Sequence, residues 1–64
     1  MVIVPEIPLA DQIRCVGREI GLRRNVYPKW VASGRMKQQD ADREIAAMEA
    51  VLATLKGLEG KGAA

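Results

Sequence analysis

The sequence predicts an all-α fold, an antiparallel two-helix hairpin that pairs with a second copy into a four-helix bundle. Its 64 residues are enough for one small domain, which a single chain stabilises only marginally. Apolar residues recur at helical spacing in two segments separated by Gly34. Residues 1–37 carry a net charge of +4 and residues 38–64 a net charge of −2, which favours antiparallel pairing of the two segments.

The first predicted helix covers about residues 9–33 and follows an extended leader, residues 1–8, that holds Pro5 and Pro8. One face of this helix is apolar except where Arg23 interrupts it. That face consists of Leu9, Ile13, Val16, Ile20 and Tyr27.

Pro28 lies inside this segment and lacks the N–H that would bond to the carbonyl of Arg24. The helix therefore either stops near Val26 or kinks and continues, and we expect the kink. Ser33 and Gly34 end it, because glycine suits the left-handed conformation that follows many helices.

The second predicted helix covers about residues 38–56, and its apolar positions repeat at intervals of three and four. They are Ala41, Ile45, Met48, Leu52 and Leu55. Carboxylates are concentrated in its first turns, where the helix dipole favours them, and Lys56 with Gly57 marks its expected end. Residues 57–64 are predicted to form a flexible tail.

Each helix has a second set of apolar residues that the hairpin leaves uncovered, and these sets predict a homodimer or another protein partner. They are Cys15, Leu22 and Val26 on the first helix, and Ala46, Ala50 and Ala53 on the second. Cys15 is the only cysteine, so no disulfide can form within the chain, and we interpret it as a small apolar residue.

Composition argues against an enzyme. The chain has no histidine, so Ser33 and Thr54 lack a conventional base, and the usual zinc ligand sets are missing. We therefore predict no catalytic residue, no metal and no cofactor. The apolar opening of the chain is too short for a signal peptide, and no later run is long enough to span a membrane, so the expected location is the cytoplasm of a bacterial host.

The only two aromatic residues lie beside clustered basic residues, which makes this stretch the candidate partner-binding surface. Tyr27 is in phase with the apolar face and should be core, whereas Trp30 lies at its edge and should anchor a partner. Arg24, near the apolar face, should pair with an acidic group of the second helix or of a partner. The predicted binding residues are Arg23, Arg24, Tyr27, Lys29, Trp30 and Arg35.

Binding of nucleic acid is the alternative, because clustered Arg and Lys side chains attract phosphate backbones. Residues 17–30 resemble a degenerate helix–turn–helix with Gly21 at the turn, although Pro28 falls within what would be the recognition helix.

The run Leu22-Arg-Arg-Asn-Val-Tyr-Pro-Lys-Trp-Val-Ala-Ser-Gly-Arg-Met, followed by Ala41-Asp-Arg-Glu-Ile-Ala-Ala-Met-Glu-Ala-Val-Leu, resembles small helical proteins of temperate phages and prophages. It covers about half of the chain. Asn25 stands where such sequences have a further basic residue, and Lys37 where they have a serine or threonine helix cap. The resemblance implies a context rather than a mechanism, namely an accessory role in replication, recombination or defence, and it assigns no functional residue. With the residues above, it leads us to predict a non-enzymatic accessory protein that binds a host or phage protein.

Overall fold

Two helices make up the fold. A computed structural model describes residues 6–62, and the side chains of residues 6–60. Helix α1 spans Leu9–Ala32 and helix α2 spans Gln38–Gly62, and the two pack against each other as an antiparallel hairpin. This confirms the predicted all-α hairpin. Residues 1–5 of the predicted leader and 63–64 of the predicted tail lie outside the described residues. Within the described part, neither helix is long and apolar enough to cross a membrane.

Helix α1 begins directly after Pro8, whose φ of −56° and ψ of 143° are those of extended backbone. The carbonyl of Pro8 accepts the N–H groups of Asp11 and Gln12 at 3.0 and 3.1 Å, which starts the helical bonding without a side-chain cap. The helix then continues through Pro28, as expected from the sequence, rather than stopping at Val26. A bend at Pro28 stays a prediction.

The end of α1 is held by a Schellman motif built around Gly34, whose φ is +80°. The N–H of Gly34 donates to the carbonyl of Val31 at 3.1 Å, and the N–H of Arg35 donates to the carbonyl of Trp30 at 2.9 Å. The Ser33 hydroxyl also donates to the Trp30 carbonyl, at 3.1 Å. The predicted glycine stop is confirmed, and it reverses the chain within five residues.

Helix α2 starts at Gln38 but extends to Gly62, six residues beyond the end predicted at Lys56. The predicted tail is therefore helical over residues 57–62. Gly57 does not stop the helix, because glycine inside a helix only weakens it by about 1 kcal/mol relative to alanine. Among the described residues positive φ occurs only at Gly34, so Gly57 and Gly60 keep a conformation that continues the helix.

The core lies between the helices, and its buried residues lie in the middle of α1 and toward the loop. We call the half next to the loop the loop end and the other, where α1 starts and α2 finishes, the open end. Among the described side chains the buried apolar residues are Ile20, Tyr27 and Ala41, which are 6%, 8% and 3% exposed. The predicted apolar positions of the open end are only half-buried: Leu9, Ile13, Val16, Leu52 and Leu55.

Candidate protein-binding surface

Two aromatic side chains, one buried and one exposed, lie side by side in the last turns of α1. Tyr27 is buried, whereas Trp30 is 42% exposed, as their positions on the helix predict. Their ring centroids are 5.7 Å apart and the ring planes are inclined by 35°. At this distance the rings attract each other, so Tyr27 supports the Trp30 ring from one side. A large apolar side chain is thus held at the surface in a defined position.

A shallow groove of about 260 Å³ begins at this aromatic pair and follows α1 toward its start. We call it the aromatic groove. Its apolar lining consists of Leu22, Val26, Tyr27 and Trp30, and Glu19 and Arg23 form its polar edge. Residues three and four positions apart lie on one side of a helix, so these side chains form a continuous strip. The groove is suited to an apolar segment of another molecule.

Arg23 joins the polar edge of the aromatic groove to α2. Its Nε donates to Oε1 of Glu19 at 3.0 Å, and its Nη1 lies 3.9 Å from Oε2 of Glu44. The hydrogen bond to Glu19 raises the pKa of the Arg23 guanidinium above its ordinary value, with a smaller contribution in the same direction from Tyr27. Arg23, which interrupts the apolar face in the sequence, is thus an edge residue with carboxylate partners on both helices.

Arg24 pairs with Glu49 of α2, which confirms the predicted ion pair with the second helix. Arg23 and Arg24 are consecutive and point about 100° apart around α1, so their bonds reach α2 on opposite sides of the helix contact. Both pairs are partly exposed to solvent. These two arginines therefore connect the helices, in addition to any contact with a partner.

Lys29 and Arg35 are exposed at the loop end but lie apart from the aromatic groove. Lys29 precedes Trp30 by one residue and points about 100° away from it, toward the outer edge of α1. Arg35 lies past the end of the helix, where its backbone closes the Schellman motif. Of the six predicted binding residues, the structure brings Arg23, Tyr27 and Trp30 together in one groove.

The helix–turn–helix prediction for residues 17–30 is wrong, because this segment is part of one continuous helix. Gly21, proposed as the turn glycine, has helical backbone, and an added Cβ would meet nothing within 4 Å at either Gly17 or Gly21. With no break between them, the two halves of α1 cannot form the angled pair of helices that this motif requires.

Sequence reasoning placed Leu22 and Val26 opposite the main face of α1 and omitted them, with Glu19, from the binding surface. In the structure both line the aromatic groove, where Val26 is half-buried and Leu22 is exposed. The signal was present: two steps of four residues lead back from Trp30 to Val26 and Leu22, and a step of three leads on to Glu19.

A second groove, of about 590 Å³, lies at the open end and is lined by both helices. We call it the open-end groove. Sequence reasoning missed it as a site because its lining depends on how the two helices pack. Its apolar lining consists of Ile7, Cys15, Val16, Val51 and Leu55.

Among the described residues, no three His, Cys, Asp or Glu side chains are grouped closely enough to hold a metal ion. Comparison of the chain with protein-family models, with curated proteins and with solved structures gave no match. The resemblance to phage-encoded proteins stays a prediction, and the proposals below start from the geometry of the two grooves.

Proposed function

We propose that the chain is a non-enzymatic protein-binding module whose aromatic groove holds an apolar segment of a partner protein. The observation that carries this proposal is Trp30, a large side chain that is 42% exposed and yet positioned by the buried Tyr27. Interfaces draw most of their binding energy from a few such residues, tryptophan prominent among them. A ring already held in place loses little conformational freedom when a partner covers it.

The polar edge of the groove supports a protein partner rather than a simple apolar ligand. Glu19 and Arg23 are hydrogen-bonded to each other at one margin and are both partly exposed, so each retains capacity for a polar group of the partner. An apolar centre with a polar margin is the usual anatomy of a protein interface. The resemblance to phage-encoded proteins supports an accessory role in replication, recombination or defence.

Nucleic-acid binding is the second candidate, and one specific feature favours it. Arg14, Arg18 and Lys29 follow the outer edge of α1, away from α2, at positions that share one side of the helix. Among the described residues Arg18 and Lys29 make no ion pair, so both are available to phosphates. Replacing these two with alanine tests this candidate without removing the arginines that join the helices.

The experiment is a pull-down from bacterial lysate with the tagged chain, with and without nuclease, repeated with Trp30→Ala and with Val51→Ala. Val51 is the matched control, because it is an apolar residue of similar exposure at the open end. We expect nuclease-resistant proteins that Val51→Ala retains and Trp30→Ala loses, since a central anchor contributes about 2 kcal/mol or more.

Trp30 is the only tryptophan, so its fluorescence reports directly on the groove. Titration with the captured protein should shift the emission to shorter wavelength as the ring leaves water. Capture that persists in Trp30→Ala would overturn the proposal. Capture that nuclease removes, and that weakens with Arg18→Ala and Lys29→Ala while its salt slope becomes shallower, would establish the nucleic-acid candidate instead.

A further inference from the structure

At the open end of the hairpin, apolar residues face the other helix, but the packing of the two helices buries them only in part. Its inward positions, among them Ile13, Val16 and Leu52, are at most half-buried. The buried residues are Ile20 in the middle of α1 and Tyr27 and Ala41 toward the loop, although Ile45 on the loop half of α2 is also only half-buried. The molecule measures 45 × 32 × 16 Å along its principal axes, and two helices side by side form a single layer. A stable helical core requires at least two packed layers, so the open end lacks the layer that would complete it.

The open-end groove lies on the same side of the hairpin as the exposed large apolar residues. Cys15, Leu22 and Val26 are separated by seven and four residues, so one strip of α1 leads from the open-end groove to the aromatic groove. On α2, Val51 is 45% exposed within this groove, and Leu58, seven residues on, is 51% exposed on the same side. On the opposite side of α2 the apolar residues are small, Ala46 and Ala53, and they lie among charged residues such as Glu49.

The polar groups at the rim of the open-end groove already have partners within the chain. Asp11 Oδ1 lies 3.8 Å from Arg14 Nη1, and Gln12 Nε2 donates to the carbonyl of Ile7 at 2.9 Å. The rim therefore carries no uncompensated charge that would select a charged ligand or repel an identical surface. The groove is therefore suited to another apolar surface with a near-neutral rim. The same groove on a second copy of the chain has these properties.

We propose that a second copy of this chain covers the open-end groove, forming a two-fold symmetric dimer in which each copy supplies the other's missing layer. A two-fold interface requires one patch to be complementary to itself. This patch provides both a hollow and exposed apolar side chains, Val51 and Leu58, that can enter the hollow of the partner. The aromatic groove lies nearer the loop, beside the buried Tyr27, and stays free for the partner of the proposed function.

Sedimentation velocity over a range of protein concentrations tests the dimer. We expect a species of twice the 7.0 kDa chain mass at micromolar concentration. Val51→Asp places a charge in the interface and should raise the dimer dissociation constant at least tenfold. Ala53→Asp is the matched control: it introduces the same charge two residues away on the opposite, exposed side of α2 and should leave the constant within about threefold. A wild-type monomer, or a dimer that Val51→Asp does not weaken, would overturn the proposal.

A second measurement uses the unmodified chain and does not depend on how the variants fold. Cys15 is exposed in the single hairpin, and it is the only cysteine. In the proposed dimer the partner copy covers it, so its alkylation rate should fall several-fold as protein concentration rises through the dissociation constant. A rate that is the same at all concentrations would contradict a dimer through this groove.

The two proposals can fail separately. Trp30→Ala should abolish capture of the partner protein and leave sedimentation unchanged, whereas Val51→Asp should do the reverse. If Trp30→Ala dissociates the dimer and Val51→Asp does not, the second copy occupies the aromatic groove, and the inference is wrong about its site.

Discussion

The two ends of the hairpin contain similar apolar patterns and reach different degrees of burial. At the loop end, Tyr27 packs in a core with Ala41, and the Schellman motif fixes the turn. At the open end, aliphatic residues at equivalent helical positions, such as Val16 and Leu55, are half-buried. The difference shows that periodicity determines which way a residue faces, and that burial depends on what lies opposite.

An exposed apolar side chain therefore has a different consequence at each end of the hairpin. Trp30 is exposed beside the buried Tyr27 and is available to another molecule. Val51 is exposed beside an unfinished core, where covering it would also bury its half-exposed neighbours. Binding of a partner at either end should stabilise the folded chain, and association at the open end should in addition complete the burial of the half-exposed residues there.

The largest expected effect is on the core of the loop end. Tyr27→Ala removes a buried ring and should lower the free energy of unfolding by about 3–5 kcal/mol, as for other buried aromatics. Leu55→Ala at the open end should lower it by no more than about 2 kcal/mol when measured at low concentration, because Leu55 is half-buried in the single hairpin. Urea unfolding followed by circular dichroism gives both values. Equal losses under these conditions would refute the difference between the ends.

The cost of Leu55→Ala should also depend on protein concentration. In the proposed dimer the second copy completes the burial of this side chain, so its loss should destabilise concentrated protein more than dilute protein. Tyr27→Ala, whose site is already buried, should show no such dependence beyond that of the wild-type chain. The concentration dependence of the two losses thus distinguishes a side chain that is buried within one chain from a side chain that is buried only in the dimer.

Two glycine substitutions test the backbone conformation at the two ends of the hairpin. Gly34→Ala forces alanine into the left-handed region at φ +80° and should destabilise the hairpin by about 1–2 kcal/mol. Gly57→Ala lies in α2, where an added Cβ meets nothing within 4 Å, and should stabilise it by up to about 1 kcal/mol. Thermal unfolding of both variants should shift in opposite directions. A loss of stability in Gly57→Ala would show that this turn of α2 needs a glycine.

The sequence allowed the helix faces to be predicted, because the direction of a side chain follows from a rotation of 100° per residue. Tyr27 in the core, Trp30 at the edge and Gly34 at the turn all follow from position alone. The end of α2 could not be located in this way, since Gly57 is compatible both with a stop and with continuation.

The two grooves differ in how far the sequence could predict them. Two steps of four residues connect Trp30 with Val26 and then Leu22 within one helix, so the pattern was sufficient to predict the aromatic groove. The open-end groove combines Cys15 with Val51, and their proximity depends on the axial alignment of the two helices. Periodicity specifies the facing sides of two helices but not that alignment.

The smallest expected effect concerns the ion pair between Arg24 and Glu49, whose side chains are 59% and 46% exposed. A double-mutant cycle with Arg24→Gln and Glu49→Gln should give a coupling of about 0.5 kcal/mol, because water and salt screen exposed pairs and long side chains lose freedom on pairing. The coupling should shrink further in high salt. Gln38→Ala, which removes a hydrogen bond to Asp42 within α2, is the control for local effects that do not join the helices. A coupling well above 1 kcal/mol, unchanged by salt, would mean that this side of the hairpin is shielded from solvent, and an additional protein layer would then be required over Arg24 as well as over the open-end groove.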